Sequence, residues 1–436
     1  MTPSRLALAI VLSALIVVAM TVPPSQPPHP SREIQLTAGP GGRILTNANV
    51  WSPDGEWIAY DTRSDAAGDV FDGTRIEMVN VRTKEVRVLY ESRNGAHCGV
   101  VTWHPTEPKV VFILGPEHPT PDWQYGATHR QGVIVDTRRP GVASNLDARD
   151  LMAPFTPGAL RGGSHVHVWS PDGKFVSFTY EDHVLATGTG DPNQRTVGVS
   201  VLGRPVRVPR THPRNHDGEA FSVLAARTGG DLTKAFEEAW IGPRSALAFQ
   251  GHVRTASGET ISEVFVAELP DDLTQPHDGP LEGTATRRPA PPRGTVQRRL
   301  TFTADRRHPG LQGPRHWLRS SPDGTRIGFL MADDAGVVQF WTVAPTGGPP
   351  EQVTHNAHPV ASAFTWHPDG RRVAFVMDGS VCVTDVATGA TTRLTPRTAD
   401  APRPEACVIS PDGRWIAFVR RMDGANQICV VEGRSR

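Results

Sequence analysis

A five-residue turn, Trp-Ser-Pro-Asp-Gly, limits what this chain can fold into more than any other feature. It stands complete at 51–55 and 169–173, and with one change each at 320–324, 366–370 and 409–413; Trp103-His104-Pro105 opens a degenerate copy. Proline presets φ, aspartate bonds its own backbone and glycine accepts positive φ, so each copy is a tight turn between two strands. A short apolar strand follows each turn: Trp57-Ile58-Ala59-Tyr60, Phe175-Val176-Ser177-Phe178, Ile327-Gly328-Phe329-Leu330, Val373-Ala374-Phe375-Val376 and Trp415-Ile416-Ala417-Phe418. A third strand and a fourth ending near Leu-Thr or Val-Thr complete the period. Four strands in each roughly 40 to 60 residues is the pattern of propeller blades.

The expected fold is all-β, a seven-bladed β-propeller with blades starting near Asn47, His97, His165, Phe236, His316, Ser362 and Glu405. In the fourth, Trp240-Ile241-Gly242-Pro243 replaces the usual turn. Ahead of it lies an irregular segment, 180–235, with an extra strand expected at 221–226 and a helical turn at 231–238; an eighth blade there stays open. After Gln427-Ile428-Cys429-Val430-Val431 no fourth strand follows, whereas Glu33-Ile34-Gln35-Leu36-Thr37 has the fourth-strand pattern. An open ring would leave unpaired edges, so the two termini are expected to share the last blade.

The repeat makes residues 33–436 one domain. Residues 1–22 carry Arg5 and an unbroken apolar run from Leu6 to Met20, an export signal that is either cleaved or kept as an N-terminal anchor. Residues 23–32 form a Pro-rich spacer. The chain is expected to be exported, periplasmic or anchored to the outer face of the inner membrane, and to meet a membrane through this segment alone. With 45 basic and 45 acidic side chains there is no bulk field to attract nucleic acid. Four cysteines, three of them in apolar strands, read as buried thiols, with a pair in blades six and seven left open.

Aligning blades on their turns compares positions around the ring. Four residues before the Trp stand Asn47, Gly99, His165, Phe236, His316, Ser362 and Glu405; two before it stand Asn49, Val101, His167, Glu238, Leu318, Phe364 and Cys407. Residues two apart on a strand share a direction, and the first strand borders the channel. His165 and His167 are thus expected to face the channel together, with His316 at the same level. Such a set suits a divalent metal; the plainer alternative is hydrogen-bonded histidines in a hydrated channel. Arg161 and Arg315 are candidates to clamp a carboxylate, or ordinary paired arginines. His183, beside Asp182, and His97 are candidate proton-transferring groups, or unremarkable loop residues. Serine-hydrolase elbows, P-loops and dinucleotide fingerprints are absent.

The repeated Trp-Ser-Pro-Asp-Gly-x-x-Ile-Ala-Phe pattern resembles the TolB-type propeller superfamily. Gly95-Ala96-His97, Ala153-Pro154-Phe155-Thr156-Pro157-Gly158, Arg161-Gly162-Gly163-Ser164-His165-Val166-His167, Val296-Gln297-Arg298-Arg299-Leu300-Thr301-Phe302-Thr303 and Pro314-Arg315-His316-Trp317 resemble the YidR family of bacterial proteins. That family is similar in turn to oligogalacturonate lyases, propellers that hold Mn with histidines and a glutamine and cleave pectic uronides by β-elimination. The resemblance implies a metal on His165, His167 and His316, Arg161 or Arg315 on a substrate carboxylate, and His183 or His97 as base. Gly162 stands where the lyase pattern has its glutamine, so one ligand is missing or comes from elsewhere. Two classes of function follow: a metal-dependent lyase acting on acidic oligosaccharides, or a non-catalytic propeller binding a protein or peptide.

Overall fold

A computed structural model describes residues 32–433 except 47, 315, 316 and 406. Seven four-stranded antiparallel sheets follow one another around a ring. Each runs from an inner strand outward, as in blade 2 (Cys98–Trp103, Lys109–Leu114, Gln131–Asp136, Ala143–Asn145) and blade 3 (Gly162–Trp169, Phe175–Asp182, Thr196–Val206, Gly218–Leu224). Blade 7 takes three strands from the C-terminal end (Cys407–Ile409, Trp415–Met422, Ala425–Glu432), and its outermost strand is Glu33–Gln35, with Ile34 opposite Val430. The predicted shared blade is therefore present. No helix among the described residues is long and apolar enough to cross a membrane; the export segment and most of the Pro-rich spacer lie outside the described residues.

The irregular segment resolves differently from expectation. Gly218–Leu224 is the fourth strand of blade 3, and Leu232–Trp240, where a helical turn was expected, is the inner strand of blade 4. No eighth blade is present among the described residues. Over Leu232–Trp240, pairing with Ala246–Arg254 decides the conformation.

Local chemistry explains the turns. Ser52 Oγ donates to Asp54 Oδ1 (2.5 Å) and accepts from Trp57 N (2.9 Å), while Asp54 also receives Glu56 N (3.0 Å) and Gly55 sits at φ 70°. The same hydroxyl contacts recur at Ser170, Ser321 and Ser410. Where histidine replaces serine it reaches across the ring: His104 Nε2 lies 3.3 Å from the Gly173 carbonyl and His367 Nε2 3.1 Å from that of Gly413, each in the next blade's turn.

Tryptophans reach the other way. Trp51, Trp169, Trp240 and Trp366 each donate Nε1–H to an inner-strand carbonyl of the preceding blade, on Val408, Thr102, Val168 and Arg319. The second strand of every blade buries one aromatic ring completely, from Tyr60 through Phe112, Phe178, Phe249, Phe329 and Phe375 to Phe418. Around Tyr60 and Phe418 the apolar cluster spans two blades, so packing and hydrogen bonding fasten the same seams. All four cysteines are buried free thiols.

Leu36, 4% exposed, packs with Trp51, Val408 and Ile428 just past the closing strand. A charge there should cost about 3 kcal/mol or more, whereas Val86→Asp on the exposed outer strand of blade 1 should stay within about 0.5 kcal/mol. Chemical denaturation of Leu36→Asp and Val86→Asp checks that the N-terminal strand is part of the folded ring.

Candidate functional site at the channel mouth

Inner strands enter the ring at the end opposite the Pro-Asp-Gly turns, and a cavity of about 360 Å³ opens there. Its walls come from distant parts of the chain: Leu45, Asp61, Arg63 and Phe71 from blade 1, Val100, Tyr125 and Arg130 from blade 2, His165 and Val166 from blade 3. Trp317, Pro404 and Glu405 close it from the strands leading into blades 5 and 7.

The expected shared direction of His165 and His167 does not survive. His165 pairs with Thr179 but Val168 with Ser177, so Val166 and His167 together oppose one residue, and Val166 stands at φ 57°. This bulge breaks the alternation of the strand. Blades 2 and 4 have the same irregularity at the aligned position, with Val100 at φ 59° and Glu237 at φ 53°. A β-branched residue in that region is strained, and such strain tends to gather at functional sites. Both valines line the cavity.

Beyond the bulge the next residue turns away from the cavity. His167 is fully buried; its Nε2 lies 3.0 Å from Ser164 Oγ, which donates to Asp147 Oδ1 at 3.0 Å. A Cβ on Gly132 of blade 2 would come within 2.7 Å of His167 Nε2. Burial, and then the Arg130 charge, push its pKa down to about 3. Despite its Ser-His-Asp composition this buried chain is no nucleophilic site, because the serine gives its proton to the carboxylate and nothing reaches it. Glu238, two residues before Trp240, likewise sits inside the blade 3–4 seam, accepting from Thr179 Oγ1 (2.9 Å), and burial raises its pKa to about 7.

The other candidates scatter. Arg161 is wholly buried, paired through Nε (3.1 Å) and Nη2 (2.6 Å) with Asp182 and donating to the carbonyls of Thr284 and Arg287. It ties the long 270–295 connection to blade 3 and has nothing left for a substrate. His183 opens a short helix, His183–Thr187, with Nδ1 3.1 Å from His129 Nε2 and its ring against the edge of Trp123. Burial first, then His129, Arg149 and His212, lower its pKa to about 4. It stands outside the cavity. His97 is one layer behind the wall, its Nδ1 3.1 Å from the Asp72 carbonyl and its ring edge-on to Tyr125. Arg315 and His316 lie outside the described residues. Of the predicted site residues in the described structure, only His165 lines the cavity, and among the described residues no group of three or more His, Cys, Asp or Glu is placed to hold a metal.

Alignment on inner strands missed the groups that build the walls. Phe71, Tyr125 and Arg130 lie on connections between second and third strands, at 64–74 and 115–130, whereas the same connection in blade 7 is Asp423-Gly424. Long connections at one end of a propeller are where function gathers, and this signal was present in the sequence. Trp123 pins the 115–130 connection: His129 stacks on it with centroids 3.9 Å apart, and Arg149 and Arg214 lie over it at 5.7 and 5.6 Å.

A family model described as a protein of unknown function (DUF3748) matches residues 97–216, the span holding Tyr125, Arg130 and His165. The chain is 48% identical over 396 residues to a protein of Escherichia coli strain K12 described as uncharacterized protein YidR, covering 88% of this chain and 94% of that one. It belongs to the YidR family. Among solved structures, an oligogalacturonate lyase in complex with manganese superposes with a TM-score of 0.59 at 12% identity, over 93% of this chain and 94% of the lyase. The oligogalacturonate lyase of Vibrio parahaemolyticus gives 0.56 at 10% identity, with the same coverage of each chain. At such identities the likeness shows that YidR-family members and these lyases share a propeller fold.

Two outcomes follow from the buried groups. Removing the partner of Asp182 with Arg161→Ala should cost about 3–5 kcal/mol by leaving a carboxylate buried alone, read as a drop in the denaturation midpoint. His167 is held neutral, with a folded pKa below the unfolded value of about 6.5. Its contribution is therefore whole above that value and is lost as pH falls towards 3. His167→Gln should flatten the loss of stability between pH 6 and pH 4 by up to about 1.4 kcal/mol per pH unit; urea titrations at the two pH values measure it.

Proposed function

We propose that this propeller takes an acidic oligosaccharide in the channel-mouth cavity, and that its chemistry is β-elimination on uronic-acid units. The supporting observation is the cavity itself. It is closed on the inner side by the ring, walled by Arg63 and Arg130, and faced with Phe71, Tyr125 and Trp317, a combination that suits a sugar ring bearing a carboxylate. The fold is the one that carries oligogalacturonate lyase activity in its structural relatives.

In β-elimination a base removes the proton beside the carboxylate, the C–H electron pair becomes a C=C bond, and the C–O bond to the departing sugar breaks. His165 is the predicted imidazole that reaches this space, so the base role passes to it from His97 and His183. Arg130, the cavity arginine without a carboxylate partner among the described residues, would stabilise the charge spread onto the carboxylate. The described residues do not assemble the metal centre that the manganese-bound lyase suggests, and no step here depends on one. The expected export would place the activity in the periplasm or at the outer face of the inner membrane.

Binding without turnover is the second reading, with an acidic protein or peptide segment as the alternative occupant. Its support is that Arg161 and His167, both assigned to chemistry from the sequence, are interior structural groups.

Purified protein incubated with oligogalacturonates should release unsaturated uronide, followed by its ultraviolet absorbance, with elemental analysis of the same preparation for manganese, zinc and iron. His165→Ala should lower the rate by about 100-fold or more while calorimetry shows the ligand still bound. Binding without product would leave the non-catalytic reading; neither binding nor product would overturn the proposal.

A further inference from the structure

Four planar groups stack along one wall of the cavity. The Arg63 guanidinium carbon lies 4.4 Å from the centre of the Phe71 ring, Phe71 and Tyr125 stack at 4.7 Å and 17°, and the Arg130 guanidinium carbon lies 5.7 Å from the centre of Tyr125. The two ends of this stack are not equivalent. Arg63 is committed: its Nη2 is 2.6 Å from Asp61 Oδ2, and that carboxylate is entirely buried. Arg130 has no carboxylate partner among the described residues. Its one side-chain hydrogen bond is a long one, Nη1 to Tyr125 Oη at 3.4 Å, and its Nε is shielded from water with no partner.

The backbone beneath Arg130 is firmly placed. Its carbonyl accepts Arg149 Nη2 at 2.5 Å and Ser164 N at 3.3 Å, so the side chain springs from a point fixed to blade 3 as well as blade 2. A half-buried guanidinium without an anion is costly, and a fold that keeps one rigidly at a cavity wall has room for an anion from outside. Nη2–H carries no protein acceptor and, unlike Nε, is not shielded, so it is the atom at which a carboxylate can meet the guanidinium in a charge-assisted hydrogen bond.

We infer that Arg130 is the group that takes the uronate carboxylate, with Tyr125 and Phe71 holding the guanidinium plane and Arg63 excluded from the role by Asp61. This rests on the reading that the cavity takes an acidic oligosaccharide, and names the residue that makes it select the acid. A charge-assisted pair of this kind corresponds to about 10- to 100-fold in affinity.

Calorimetry with trigalacturonate and with its fully methyl-esterified form, which has the same shape without the charge, tests it on wild type, Arg130→Gln and Arg130→Lys, with thermal melting of each. Wild type should prefer the acid by about 10- to 100-fold. Arg130→Gln should bring the acid down to the ester while leaving the ester's affinity and the melting temperature unchanged. Arg130→Lys should keep part of the preference, since it retains the charge but not the planar group laid over Tyr125, and it decides the matter if the glutamine variant melts early. A preference for the acid that persists in Arg130→Gln, or equal losses for acid and ester, would overturn the assignment and leave the acidic-oligosaccharide reading standing. A wild type that binds neither ligand overturns both.

Discussion

Closure of the ring is the constraint from which the rest follows. The C-terminal end supplies three strands of the last blade, and Glu33–Gln35 completes it by pairing with Ala425–Glu432, so that hydrogen bonds tie the start of the chain to its end. Once closed, the seams are held by buried rings such as Tyr60 and Phe418, and four of the seven also by a tryptophan N–H bond to the preceding blade. The inner strands then stand at fixed separations. A cavity can be walled by Leu45 and Glu405, 360 positions apart, without any segment having to fold over it.

What enters that cavity is decided by the bulges. In a regular strand, residues 165 and 167 would both face the channel and 166 would face the blade. The extra residue between the His165–Thr179 and Val168–Ser177 pairs instead leaves His165 and Val166 at the cavity and sends His167 into the seam with blade 2. The same device in blade 4 puts Glu238 into its seam, fastened to Thr179 as His167 is to Ser164, while in blade 2 it buries the apolar Val101. Two valines at positive φ are the local cost.

Chain features with purely local causes could be read directly. The Pro-Asp-Gly turns fold through contacts within six residues, as Ser52, Asp54 and Trp57 show, so blade number and strand order followed from their spacing. Side-chain direction was not local. Nothing in Ser164-His165-Val166-His167 announces a bulge, because it depends on pairing with a strand read independently of it. Arg161 looked available because its partners, Asp182 and the carbonyls of residues 284 and 287, lie 21 to 126 positions away. The wall residues Phe71, Tyr125 and Arg130 were hidden by the method of alignment, which compares inner strands and passes over connections, although unequal connection lengths marked blades 1 and 2 as different from blade 7.

Charge is the property on which the whole chain and its cavity differ. Equal totals of acidic and basic side chains predict no field at a distance, yet recognition inside a low-dielectric recess depends on which charges remain unmatched there. At the channel mouth Asp61 is matched by Arg63, while Asp69 and Glu405 both meet Arg403, at 2.7 and 3.5 Å. Removing these local pairs leaves Arg130 as the described cation without a carboxylate, held between Tyr125 and the fixed carbonyl that Arg149 supports. Acidic residues in the wall therefore do not argue against an anionic ligand. They hold neighbouring arginines in place and confine the unmatched positive charge to one spot, which makes the cavity selective for where a ligand carries its charge as well as for its sign.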